Sequence, residues 1–306
     1  SIFLYLLFNR NFDLVYGRFL FGCYVAAILK NDVIFESHAP IYKENKYNVR
    51  IFEFLIKNKF FKKLVVISKA LKKMYLQNGY LDSSKIQVAH DGADEVKNFN
   101  SQIELLGHNQ NLKVGYVGHL YKGKGMEVID LISKKLDSDV EIHIVGGLEK
   151  DIYFWKNKIT SKNVYFYGFV EHKEVGNYIN ALDVCLLPNQ KIVLPHGADS
   201  FMESKNISTF TSPLKLFEYM SHKKPIIASD LPVIREVLNE RNSILVECDN
   251  IQLWINSINK LKNLENRKSI SSQALRDFYN YTWKKRAMNI INMYINSKSK
   301  KIVNEY

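Results

Sequence analysis

From residue 114 onward, short apolar runs alternate with stretches in which apolar residues recur every three or four positions. The runs at 114–118, 140–145, 164–168, 183–187, 225–229 and 244–247 read as strands, and the stretches at 126–136, 149–159, 171–181, 213–222, 231–238 and 250–262 as helices. Strands that are apolar throughout, each followed by a helix, specify a parallel sheet covered on both faces. This half is therefore expected to be a doubly wound α/β domain. The first half repeats the theme less completely: 13–16, 32–37, 64–68 and 85–89 read as strands with helices between them, and polar 95–112 reads as a linker. A last amphipathic stretch, 281–297, is suited to pack back toward the first domain. The expected division is 1–112, 113–280 and 281–306.

Composition narrows the class. With 306 residues, 46% hydrophobic and 24% charged, the chain is globular and long enough for two domains. Cys23, Cys185 and Cys248 lie far apart, with neither metal-ligand spacing nor a disulfide pattern, which fits a reducing, cytoplasmic setting. The apolar stretch at 2–8 is too short to span a bilayer and lacks the basic lead of a signal peptide. Because the chain opens at Ser1 and runs straight into that stretch, an N-terminal piece is expected to be missing. Net charge is +12, and Lys57, Lys59, Lys62, Lys63, Lys69, Lys72 and Lys73 fall in an acid-free, partly aromatic stretch. Such a stretch suits the surface of an anionic membrane or a solvated face; no nucleic-acid motif accompanies it, so no nucleic-acid partner is expected.

Two segments carry candidate chemistry. In Val114-Gly-Tyr-Val-Gly-His-Leu-Tyr-Lys-Gly-Lys-Gly125 a strand ends at Gly118 and a glycine-rich turn enters a helix near Gly125. The first amides of a helix lack internal partners and that end is partly positive, so it attracts an anion and disfavours a lysine. Lys124 there is explained either by an anionic ligand shared with the helix start or by plain solvation. In Ser212-Pro-Leu-Lys-Leu-Phe-Glu-Tyr-Met220, Ser212 suits an N-cap and Pro213 the first helical position. Glu218 in the second turn either pairs with Lys215 or accepts hydrogen bonds from a ribose diol. At the carboxyl ends of first-half strands, His38 and Asp91 would face a cleft between the halves, or else be a capped structural histidine and an ordinary Asp-Gly turn. Asp137-Ser-Asp139 resembles a metal-binding triplet but sits in a turn at the amino end of the sheet, so no metal site is expected.

Taken in order, the segment from Val114 to Gly125, Gly168-Phe-Val170, the segment from Ser212 to Glu218, Lys224-Pro-Ile-Ile-Ala-Ser-Asp230 and Tyr281-Thr-Trp-Lys-Lys-Arg-Ala287 resemble the retaining glycosyltransferases of family 4. The resemblance implies the GT-B fold: two Rossmann-like doubly wound domains facing across a cleft, the first of them incomplete here. It implies a UDP-sugar or GDP-sugar donor, no cofactor or metal, and transfer to a glycan or lipid-linked acceptor in envelope polysaccharide or lipopolysaccharide synthesis, peripherally on the inner face of the membrane. By position, Gly118, His119 and Lys124 would hold the diphosphate, with the amides at Ser212, Pro213 and Leu214 nearby. Glu218 would hold the ribose, Phe169 and Val170 would line the base pocket, and His38 would face the donor sugar. The catalytic set implied is His38, Lys124 and Glu218, with Asp91 on the acceptor side.

The chain departs from that family at two further points. The first of its paired acids is replaced by Phe210, so that contact to the donor sugar is either absent or supplied by another residue such as Asp199 or Glu203. The basic residue after the loop's first glycine is His119. Two other readings stand beside the transferase. One is a non-catalytic nucleotide-sugar binder. The other is a phosphate-loop nucleotidase, suggested by Gly118, Gly123 and Lys124 but weakened by glycine at 125, where a magnesium-binding hydroxyl belongs.

Overall fold

The computed structural model describes residue 8 and residues 12–99, 103–193 and 206–303. Residues 2–7 of the apolar start, Asp199 and Glu203 lie outside the described residues. The chain forms two units.

The first unit comprises Ser1–His90, Thr209–Ser212 and Arg286–Tyr306. Its parallel sheet runs β1 (Val15–Gly17), β2 (Val33–Ser37), β3 (Phe61–Val66), β4 (Ile86–Val88), in chain order. The run Val-Ile-Phe-Glu-Ser of β2 is buried at every position, as expected of a central parallel strand. Helices α1 (Leu20–Ile28), α2 (Lys46–Lys57) and α3 (Lys69–Gln77) connect the strands. The starts of α2 and α3 follow from local chemistry: the side chains of Asn45 and Ser68 accept the backbone N–H of Asn48 and Leu71. Phe52 of α2 lies between Phe35 and Tyr75, with ring centroids 6.1 and 5.7 Å away.

The second unit comprises Asp91–Ser208 and Pro213–Lys285. Its strands are β5 (Leu112–Val117), β6 (Val140–Val145), β7 (Val164–Gly168), β8 (Val184–Leu187), β9 (Ile226–Ser229) and β10 (Ile244–Val246). They pair, all parallel, in the order β10-β9-β8-β5-β6-β7. Helices α4 (Met126–Ser133), α5 (Glu149–Lys158), α6 (His172–Ala181), α7 (Leu214–Ser221), α8 (Ile251–Lys260) and α9 (Leu264–Phe278) cover the sheet, and α10 (Trp283–Val303) continues from Arg286 within the first unit. Trp254, Tyr116, Tyr219, Phe217 and Phe278 are fully buried in this second unit. Winding proceeds outward through β6 and β7, then returns past β5 to β8. The carboxyl ends of β5 and β8 are therefore the topological switch point, where open parallel sheets bind ligands.

Two expected elements differ and one was not expected. Residues 231–238 form successive turns rather than an α-helix, because amides of Ile234 and Val237 reach back three residues while those of Arg235 and Leu238 reach back four. Pro232 contributes no donor to that stretch. Helix α9 was not foreseen: of its fifteen residues only Ser271, Ala274 and Phe278 are buried, a stripe too small and polar to register as hydrophobic periodicity. Helix α7 begins at Leu214, with Pro213 in extended conformation as its N-cap, so Ser212 does not cap it. Among the described residues no helix is long and apolar enough to cross a membrane.

Candidate functional site

The glycine turn between β5 and α4 is shaped by close packing. Gly118 has φ +137°, and Gly125 has φ +92° as the N-cap of α4. A Cβ on Gly125 would stand 2.1 Å from the carbonyl oxygen of Pro188, just past β8. Only glycine satisfies both the left-handed backbone and that approach. The turn is thereby pinned at the switch point. No side chain caps α4 or α7. Lys124 is half-buried with its Nζ 5.1 Å from the Tyr121 ring centroid, and burial pulls its ammonium down to about 8.

Lys215 occupies an unexpected place. Its Nζ is shielded from solvent, makes no hydrogen bond among the described residues, and lies 3.8 Å from the centroid of the Tyr116 ring. It would stand 2.7 Å from a Cβ on Gly118, so it reaches directly beneath the turn. Burial, and then repulsion from Lys124, hold its ammonium far below the ordinary lysine range, with Glu218 opposing. The expected alternative, an ion pair with Glu218, is not formed.

Glu218 instead lines a cavity of about 280 Å³ with His172, Gly176, Leu214 and His222. Burial raises its carboxyl above the ordinary range, opposed by His172 and Lys215. A partly desolvated carboxylate at the wall of a cavity is suited to accept hydroxyl hydrogen bonds. Phe169 is exposed and Val170 half-buried just beyond β7, whose Gly168 carbonyl accepts the amide of Gly146 at 2.7 Å. Thus Gly118, His119 and Lys124 follow the carboxyl end of β5, and Phe169 and Val170 that of β7, two strands away across β6, while Pro213, Leu214 and Glu218 come from the start of α7. His119 is exposed, its ring 5.7 Å from that of Tyr121.

The remaining expected residues are placed otherwise. In the first unit, His38 at the end of β2 has both ring nitrogens occupied: Nδ1 accepts from Arg18 at 2.9 Å and Nε2 bonds Glu36 at 2.5 Å. Because arginine only donates, the neutral ring carries its proton on Nε2. Glu36 is only 4% exposed and also accepts from Arg286 at 2.9 Å. Asp91 is buried in the second unit, two residues before an Ala93–Thr282 bridge, and a Cβ on Gly92 would strike the Tyr281 carbonyl at 2.2 Å. Ser212 and Phe210 belong to the first unit; Phe210 is buried, and its carbonyl accepts from Ser68 at 2.8 Å. Asp137 and Asp139 form the expected turn and both bind Lys262, at 2.8 and 2.7 Å. In the lysine-rich stretch, Lys62 pairs with Asp32 at 2.8 Å, and Lys63 and Lys72 donate to backbone carbonyls.

Sequence reasoning missed Lys215, Tyr116, Glu36 and Arg286. For Lys215 a signal existed: it sits in the first turn of a helix, the same wrong end that singled out Lys124. For Glu36 the signal was a lone acid inside an apolar strand.

A family described as "Glycosyl transferases group 1" matches residues 111–263. An uncharacterized glycosyltransferase of Methanocaldococcus jannaschii is 26% identical over 239 residues, 72% of this chain and 55% of that protein. The chain spans between about a third and about half the length of the curated relatives it matches, 32% of one and 55% of the other. Among solved structures, HepE of Anabaena in complex with UDP superposes with a TM-score of 0.73 at 16% identity, covering 96% of this chain and 82% of that one. A lipopolysaccharide outer core galactosyltransferase, WaaB, in its apo form gives 0.65 at 16% identity, covering 96% and 78%. At such identity the likeness speaks to fold, and the fold is the expected GT-B pair of parallel-sheet α/β units.

Proposed function

Since this chain belongs to the glycosyl transferases of group 1, we propose that it is a retaining, metal-independent enzyme of family 4. It moves a sugar from a nucleoside-diphosphate sugar to a glycan or lipid-linked acceptor. The observation that carries this reading is the convergence, on the pinned glycine turn at the start of α4, of Lys124 and of Lys215 from α7, the helix that also carries Glu218 at the wall of a separate cavity. In this reading the turn and Lys124 hold the diphosphate, Glu218 holds the ribose, and Phe169 and Val170 flank the base. UDP is the first donor to try, since the Anabaena neighbour was solved with it; GDP is the second.

Departure of the diphosphate breaks the bond from sugar C1 to phosphate oxygen and leaves negative charge on that oxygen. Cations and helix amides already aimed there stabilise the transition state more than the bound substrate. The acceptor hydroxyl forms the new bond to C1 on the same face, and its proton passes to the departing phosphate oxygen, so configuration is kept and no carboxylate pair is needed. In this reading His38, its tautomer held by Glu36, is the residue assigned to the donor sugar, and Asp91 the one assigned to the acceptor. The setting proposed is cell-envelope polysaccharide or lipopolysaccharide assembly, in keeping with the named activity of the WaaB neighbour. Attachment to an anionic cytoplasmic membrane face would use lysines of the 57–73 stretch, which carries no acid.

One observation favours a second reading. Phe210 is buried where the family's first acid belongs, which would suit a protein that binds a nucleotide sugar without transferring it. Turnover separates the two: the enzyme releases nucleoside diphosphate and forms an α- or β-glycoside of the donor's own configuration, read by proton NMR. Lys124→Ala and Glu218→Ala are each expected to weaken donor binding at least tenfold, measured calorimetrically, with the circular dichroism melt retained. Unchanged affinity in both would end the assignment.

A further inference from the structure

The ammonium of Lys215 is out of contact with solvent, has no hydrogen-bond partner among the described residues, and rests on the Tyr116 ring 3.8 Å from its centroid. A buried cation normally has an anion or several acceptors, because its lost hydration must be replaced. A ring face replaces only part of that. The carboxylate of Glu218, three residues along α7, turns to the cavity with His172 instead. The other groups that bear on Lys215 are Lys124, which repels it, and Tyr116 below it. Two lysines thus converge on one glycine turn, with no acid bonded to either among the described residues. Among the described residues, the ring contact with Tyr116 leaves that ammonium without a hydrogen bond. Rotation about the end bonds of the lysine side chain carries Nζ past Gly118, which has no side chain to block it.

From this geometry, and resting on the donor-binding reading above, we infer that Lys215 is a second cation of the diphosphate site and takes up a proton when a nucleoside diphosphate arrives. In the free protein the two lysines share a dry setting in which charge on one opposes charge on the other; an anion between them removes the repulsion and favours both charged forms. Binding is then coupled to protonation. Diphosphate affinity should be greatest where Lys124 and Lys215 are readily charged and fall as pH rises above about 8, the range to which burial brings Lys124. Lys215 is also placed to meet the charge that grows on the leaving phosphate.

The test is calorimetric titration of the full chain with UDP, GDP and uridine at pH 8.5, in two buffers of different ionisation enthalpy. At that pH the terminal phosphate, with its second pKa of about 6, is already fully ionised and contributes no proton of its own. The expected result is net proton uptake with UDP or GDP and none with uridine. Lys215→Met should lower that uptake and weaken the diphosphate about tenfold or more, leaving uridine affinity unchanged. Lys215→Arg, always charged, should bind without that share of uptake. Binding of UDP or GDP with no proton uptake, or with equal affinity in Lys215→Met, overturns the role of Lys215 and leaves the donor site standing. Failure of the unaltered chain to bind either diphosphate overturns both readings. The uptake measurement needs no variant, so it decides even where Lys215→Met fails to fold.

Discussion

At the scale of single residues, the chain buries charge sparingly and with consequences. Glu36 is pushed up by burial, but its bond to His38 and the nearby Arg286 guanidinium outweigh this, and its carboxyl lies below the ordinary range. A carboxyl lowered by folding adds stability that is present above its unfolded value near 4.5 and is lost as pH falls through the lower folded value. Glu36→Ala leaves Arg286, only 11% exposed at its side chain, without its carboxylate. A loss of about 3–5 kcal/mol in the first unit is expected at pH 7, read by urea unfolding. The loss should shrink as pH falls below 4.5 through the lowered folded value, where the unaltered protein forfeits the same contribution; an equal loss at every pH would mean that the effect is packing alone. Lys124, Lys215 and Glu218 illustrate the opposite case, groups whose charged forms the free protein holds at a cost. Such groups cluster where a ligand restores the balance.

At the scale of elements, the decisive feature is the junction of β5 with α4. Gly125→Ala places a Cβ 2.1 Å from the Pro188 carbonyl on a backbone at φ +92°. Strain of that kind costs about 1–3 kcal/mol before any clash is counted, so a fall in melting temperature of several degrees is expected together with loss of diphosphate binding. Gly79, which has φ +70° but open space around it, is the control: alanine there should cost stability without touching the ligand. If Gly125→Ala melts and binds like the unaltered protein, the turn is not the rigid cradle described. Strands β5 to β10 were legible because a parallel strand covered on both faces is predominantly apolar, and even the half-buried edge strands β7 and β10 kept enough apolar residues to register. The 231–238 segment misled, since its apolar spacing is helical while its hydrogen bonds alternate between three- and four-residue steps. Helix α9 was silent for the converse reason: its buried stripe is Ser271, Ala274 and Phe278, a single large apolar residue, and spacing of large apolar groups is what periodicity detects.

At the scale of the molecule, the two α/β units differ in what they offer a nucleotide, and the glycine turn, Lys124 and Lys215 all belong to the second. UDP or GDP at a hundred times its dissociation constant should stabilise that unit by about 2.7 kcal/mol. Hydrogen exchange is expected to slow at 118–128 and 213–219 and to leave the β2 to β4 sheet unaltered; uniform protection, or none, would contradict a site confined to the glycine turn and α7. What the sequence determined by itself was the alternation of apolar strand and amphipathic helix, the glycine turn before α4, and the acid at 218, because each of these is set by neighbours within a few positions. What only the tertiary structure decided was which charged groups meet. Lys215 turns under Gly118 rather than toward Glu218, Arg286 reaches Glu36 across 250 positions, and Phe210 is buried where an acid was expected. Those partnerships depend on sheet order and close packing between segments distant in the chain, and local spacing carries no record of them.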